Sequence, residues 1–162
     1  MGDEMMKNGA WKTYVLFIAL TEAVGALAGW LTRNGVEAYN GVLKSALTPP
    51  NMVFPIVWAI LFALLGFGTA RIWLAAPSPE RWRGLLIFWV QLGFNFAWSL
   101  LFFNLQAFGF AFLWLIILWV LILLMIMSYH RVDKTAAWLQ LPYLIWVTFA
   151  GYLNCVTWLL NR

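Results

Sequence analysis

Apolar positions gather into five long runs separated by short polar joints: Thr13–Thr32, Met52–Ala70, Gly84–Phe103, Ala107–Tyr129 and Ala136–Leu160. Each is near or above the ~20 residues a helix needs to cross the hydrocarbon core of a bilayer. Apolar and polar residues do not alternate with period two, and the runs are too long for barrel strands. Helices remain as the way to satisfy every backbone group inside lipid. The pattern predicts an all-α membrane protein: one domain over 1–162, a bundle of five transmembrane helices. The first run is too long for a signal-peptide core and no small-residue cleavage site follows it, so it is expected to be a span.

The joints are unequal. Pro77-Ser78-Pro79 joins the second run to the third, Asn104-Leu105-Gln106 the third to the fourth, and His130–Lys134 the fourth to the fifth. Such short joints make consecutive helices antiparallel neighbours. The first connection, Arg33 to Pro50, is 18 residues long. Within it Tyr39, Val42, Leu43, Ala46 and Leu47 form an amphipathic stripe that predicts a helical turn or two over the bundle mouth. Thr48-Pro49-Pro50 reads as an N-cap with prolines opening the second helix. The loop is either a lid over a pocket or a segment resting on lipid headgroups; spacing alone supports both.

Inside the third run, Gln91, Asn95, Trp98, Ser99 and Phe102 recur at offsets of 0, +4, +7, +8 and +11, which is one stripe of a helix. Unpaired amides facing lipid cost a few kcal/mol each, so the stripe is expected to face inward. Glu22 is the one acid within a run, on a face shared with Gly25 and Gly29. An intramembrane acid is a functional-site hypothesis by default. The structural expectation is a protonated acid hydrogen-bonded across a helix interface.

Tryptophan is abundant, with 12 residues. Trp11, Trp30, Trp73, Trp82 and Trp158 lie near run ends and fit interfacial belts. Trp58, Trp89, Trp98, Trp114, Trp119 and Trp146 lie deeper. Their indole N–H groups need acceptors, which Gln91, Asn95, Ser99 and Asn154 can supply. Two readings stay open: aromatic packing with polar glue between helices, or a cavity with flat aromatic walls for a flat hydrophobic ligand.

Composition narrows the class. The chain is 64% hydrophobic and 10% charged, with a mean hydropathy of +0.83, which leaves no room for a separate soluble domain. Lys7, Lys12, Arg71, Arg81, Arg83, Arg131 and Lys134 fall on one side of the predicted bundle; Arg33, Lys44 and Arg162 fall on the other. This bias predicts an N-terminus inside and a C-terminus outside. It also accounts for the net charge of +4 without nucleic acid as a partner. Cys155 is the only cysteine, so no internal disulfide forms. No His/Cys/carboxylate spacing suits a metal, and no phosphate loop or nucleophile elbow is present.

The stretches LTPPNMVFPIVWAILF (47–62), QLGFNFAWSLLFF (91–103) and AWLQLPYLIWVTFAGYLN (137–154) resemble the translocator protein family in order and spacing. That family is also called tryptophan-rich sensory proteins or peripheral benzodiazepine receptors. The resemblance covers essentially the whole chain. It implies five transmembrane helices with a long first loop capping a ligand pocket. It implies pocket positions at Tyr39, Trp58, Asn95, Trp98, Trp146, Ala150 and Leu153, beside Gln91 and Ser99 of the stripe. It further implies a receptor or sensor in a bacterial cell envelope that binds tetrapyrroles such as protoporphyrin IX and benzodiazepine-type aromatic ligands. No cofactor is expected; porphyrin enters as ligand or substrate.

The resemblance carries two alternatives. One is light-dependent porphyrin breakdown with Trp58 and Trp146 as the catalytic pair; the other is transport of a tetrapyrrole or sterol. Gly93 and Ala97 match the region through which members pair as homodimers. Two departures stand out. The family's loop usually reads KPxWxPP, whereas here Ser45 follows Lys44 and Leu47 takes the tryptophan's place. Cys155 and Leu159 replace an aromatic and a basic residue of the sterol-recognition pattern, so strong sterol binding is not implied.

Overall fold

The computed structural model describes the backbone of residues 2–162 and side chains from Gly9 onward. The side chains of Asp3, Glu4 and Lys7 in the predicted N-terminal tail therefore lie outside the described residues. The chain forms α1 (Gly2–Tyr39), α2 (Val53–Leu74), α3 (Pro79–Ser99) running into a π-helical turn (Leu100–Asn104), α4 (Phe108–Val132), α5 (Lys134–Trp138) and α6 (Leu141–Leu160). There is no strand among the described residues. Five segments are long and apolar enough to cross a membrane: Gly9–Tyr39, Val53–Leu74, Pro79–Asn104, Phe108–Val132 and Lys134–Leu160. The protein is an integral, multi-pass membrane protein. Its outer face fits that medium, because Leu16, Ile60, Leu86, Leu113 and Ile145 are each more than half exposed.

Several helix ends follow local chemistry. Ser78 accepts a hydrogen bond from the Arg81 N–H and Pro79 sits at N1, so α3 begins five residues before its apolar run. Asp133 caps α5 by accepting from the Ala136 N–H at 3.0 Å. After Trp138 the chain breaks through Leu139 and Gln140 and resumes at α6 with proline in the first turn, so α5 and α6 together make the fifth span.

The first connection differs from expectation. The first helix does not stop at Thr32 but continues to Tyr39, and the loop is confined to 40–52. The predicted helical turns over 39–47 do not form: Tyr39 ends α1, while Leu43 and Leu47 point outward, exposed at 63% and 64%. Thr48 is not a cap; α2 begins at Val53, and the Thr48 hydroxyl is buried without a partner. Hydrogen bonds to the end of the bundle shape the loop in place of a local helix. Asn161 bonds both the N–H and the carbonyl of Leu43, at 3.1 and 2.8 Å, and Ser45 lies 3.2 Å from the Tyr152 hydroxyl.

α1 packs along α2, α3 along α4, and α4 also along α6. The α1–α2 contact closes at Gly66, where a Cβ would stand 2.6 Å from the Ile18 Cα. Gly35 does the same for α1 against the Phe103 backbone. Close approach through small residues is how helices gain packing in lipid. At the end of the bundle holding Asp133, Thr69 and Tyr129 hydroxyls meet at 2.9 Å and Arg71 pairs with Asp133 at 2.7 Å. Burial raises the Asp133 carboxyl, but the Ala136 N–H and the Arg71 guanidinium outweigh it and hold it below the usual carboxylate range.

Candidate functional site

A cavity of about 740 Å³ opens between α1, α2, the end of α3 and α6, beneath the loop 40–52. Helical periodicity builds each wall. On α1 the lining positions Glu22, Gly25, Gly29, Thr32 and Val36 follow steps of three and four. α2 contributes Phe54, Trp58 and Phe62, and α6 contributes Trp146, Ala150 and Leu153. From α3 come Asn95, Trp98 and Ser99, with Phe102 and Phe103 from the π turn. Irregular turns of this kind re-aim side chains and are frequent at functional sites.

The structure brings Tyr39, Trp58, Asn95, Trp98, Ser99, Trp146, Ala150 and Leu153 to this one cavity. Gln91 is the exception. It is fully buried one turn away and accepts a hydrogen bond from the Tyr143 hydroxyl at 2.8 Å, while Asn95 Nδ2 donates to the same hydroxyl at 2.7 Å. Tyr143 thus takes Gln91 out of the cavity wall and fixes the amide of Asn95. The Tyr143 ring stands edge-on to Trp58 at 6.1 Å, tying this polar chain to the aromatic wall. Asn95 Oδ1 has no hydrogen-bond partner among the described residues, so the residue offers the cavity an acceptor.

Trp98 donates its indole N–H to Asn154 Oδ1 at 3.1 Å, and Asn154 in turn donates to the Phe108 carbonyl at 2.8 Å. Its ring stacks on Phe102 with centroids 5.3 Å apart, so Trp98 is a fixed panel. Trp146 is freer: its buried indole N–H has no acceptor among the described residues. Trp89, Trp114 and Trp119 belong elsewhere. Trp89 faces outward at 49% exposure, and the other two bond the Phe94 carbonyl and Thr148, joining neighbouring helices.

At the mouth, Arg33 and Glu37 line the opening, and the Arg33 guanidinium lies 5.0 Å from the centroid of Trp30. Lys44 does not reach the cavity. Its ammonium sits over the Tyr39 ring at 4.4 Å and donates to Asn40 Oδ1. The Tyr39 hydroxyl lies 3.4 Å from that of Thr157, so the end of α1 is pinned to α6.

Glu22 was expected to bond across a helix interface, and it does not. The adjacent Thr21 makes that contact, donating to the Phe62 carbonyl at 2.7 Å, and Gly25 packs on the Phe62 ring. One position further round the helix, Glu22 lines the cavity with no hydrogen bond or ion pair to any described residue. Sequence reasoning also missed Phe54, Phe62 and Thr32. The small-residue face of α1 was the available signal for that wall, and Gly29, where an added Cβ would meet nothing within 4 Å, shows it faces open space.

Fold and site together define a five-helix membrane protein with an aromatic-walled cavity between its helices, covered by its first loop. The TspO/MBR family model matches residues 17–159, and the chain belongs to that family. It is similar to the tryptophan-rich protein TspO of Chlorobaculum tepidum, with 35% identity covering 92% of this chain and 96% of that one. It is also similar to the translocator protein of Bos taurus, at 33% identity over 94% and 92% of the two chains. The tryptophan-rich sensory protein of Cereibacter sphaeroides is 28% identical over 95% and 94%.

Proposed function

We propose that this protein is a membrane receptor or sensor that takes a tetrapyrrole such as protoporphyrin IX, or a benzodiazepine-type aromatic ligand, into the cavity. The observation that carries the reading is the cavity itself. Its volume of about 740 Å³ falls within the roughly 300–1,000 Å³ of small-molecule sites. Its walls present the indoles of Trp58, Trp98 and Trp146 beside the amide of Asn95, which suits a flat ring carrying few polar groups. The family relationship supports a sensing or transporting role, and the Lys/Arg bias supports an N-terminus on the inner side of the membrane. Acidic groups of a porphyrin would stay at the mouth, where Arg33 is the available cation.

Titration of purified protein with protoporphyrin IX, followed by tryptophan quenching, tests the reading. Saturable binding weakened in Asn95→Ala and Trp58→Phe supports it; unchanged affinity in both folded variants sinks the pocket assignment. A second reading, light-driven porphyrin breakdown, is favoured by Trp58 and Trp146 lining the same cavity. The excited porphyrin is then the oxidant and an indole the electron donor. Trp58→Phe and Trp146→Phe should lower affinity only modestly and lose any product that forms in light but not in the dark. Transport is tested by flux into sealed liposomes.

A further inference from the structure

The cavity holds one group that a receptor for flat apolar rings does not need. Glu22 stands among Gly25, Gly29, Phe62 and Trp58, in the middle of the first span, and no described residue pairs with it. The cation on its own helix that also lines the cavity is Arg33, 11 positions on, or about 16 Å along the axis. At that distance it is no partner. Glu37, the other acid in the lining, lies at the mouth, one turn beyond Arg33. A carboxyl group left alone at membrane depth is costly unless water or a ligand answers it. Along α1 the cavity thus carries a lone acid at its inner end and, at its mouth, a guanidinium with the second acid, Glu37, one turn beyond it.

We propose that Glu22 reads the inner end of the ligand: the cavity selects aromatic molecules carrying a protonated amine or another strong N–H donor at that end. An acidic group is accepted only at the Arg33 end. This rests on the cavity being a ligand site and adds which chemistry it prefers. A charge-assisted N–H···O bond is the strongest contact this wall can make, because the rest of it near Glu22 is glycine, alanine and aromatic carbon. Discrimination also has a repulsive side: a ligand carboxylate pushed to the inner end would meet Glu22 without a counter-charge.

The test uses two probes on one ring system, 9-aminoacridine as the cation and acridine-9-carboxylate as the anion, with protoporphyrin IX as a third ligand. Each is titrated against the full-length protein and against Glu22→Gln and Glu22→Leu, with thermal unfolding confirming that the variants fold. Glu22→Gln keeps the side-chain shape, so folding should survive. The expected result is a loss of tenfold or more in 9-aminoacridine affinity, about 1.4 kcal/mol, with carboxylate affinity unchanged or improved. Arg33→Gln should do the reverse, weakening the carboxylate probe alone. Affinities for both acridines that stay within twofold across the folded Glu22 variants overturn this inference and leave the receptor reading standing. Failure of all three ligands to bind the unaltered protein removes the receptor reading, and this inference with it.

Discussion

The two ends of the bundle are made of the same helices and nearly the same residue types, yet one is sealed and the other is hollow. Around Tyr129, the side chains of Leu65, Ile72, Phe88, Ile122 and Met125 are between 0% and 1% exposed. Polar groups there meet one another: Thr69 with Tyr129, Arg71 with Asp133. Toward the loop, Trp58 and Trp146 are only half-buried and line the cavity, Trp58 edge-on to Tyr143 of α6 and Trp146 edge-on to Phe54 of α2. The difference begins at glycines. Gly66 lets α1 and α2 touch backbone to backbone, whereas Gly25 and Gly29 face Phe62 and open space. Helices in lipid associate through packing rather than hydrophobic burial, so the sealed end supplies the bundle's cohesion. The hollow end gives up packing and gains a site.

Truncation should expose that contrast most sharply. Met125→Ala, at a fully buried position of the sealed end, should cost about 2–5 kcal/mol of stability, since the cavity it leaves is enclosed. Trp58→Ala removes a larger side chain from a wall that is already open and should cost less. Thermal unfolding in one detergent orders the two; a larger loss at Trp58 would erase the distinction.

Asn95 sits where the two ends meet. Asn95→Ala strips the Tyr143 hydroxyl of its amide donor and should cost about 1–3 kcal/mol of stability. Tyr143→Phe should cost less in that background than in the unaltered protein, because only its bond to Gln91 then remains to be lost, as a double-mutant cycle would show.

At the sealed end, Asp133 caps α5 and pairs with Arg71, both partly exposed, so Asp133→Asn should cost about 1 kcal/mol at neutral pH. The sign of its pH dependence follows from a carboxyl held below its ordinary range. Its contribution is full above the ordinary pKa of roughly 3.9 and fades as pH falls through the lower folded value. Stability curves of the protein and the variant should draw together as pH falls from about 4 and meet once it lies below the folded value; a gap that does not narrow over that range excludes Asp133 as its source.

The smallest effect on the fold is expected outside both regions. Gly93 faces outward with no atom within 4 Å of an added Cβ, and Ala97 lies one turn on. Leucine at both positions should change stability by no more than about 0.5 kcal/mol. If the protein pairs through this face as a homodimer, light scattering should then report monomer. An unchanged mass excludes the interface.

The linear order of residues was enough to place five spans, because hydropathy and bilayer thickness act along one dimension. It also oriented the stripe of Asn95, Trp98 and Ser99 toward the interior, because exposed amides are costly in lipid wherever the neighbouring helices stand. The remaining features needed those neighbours. Whether Gln91 meets a ligand or Tyr143 depends on how far α6 slides past α3, a matter of one helical turn. α1 runs seven residues past Thr32, to Tyr39, because Gly35 and Tyr39 find the end of α3 and Thr157 of α6 to pack on. Glu22 faces the cavity and Thr21 the interface because the α1–α2 contact selects one angular sector of the helix. Periodicity shows which residues share a face; only packing decides what that face meets.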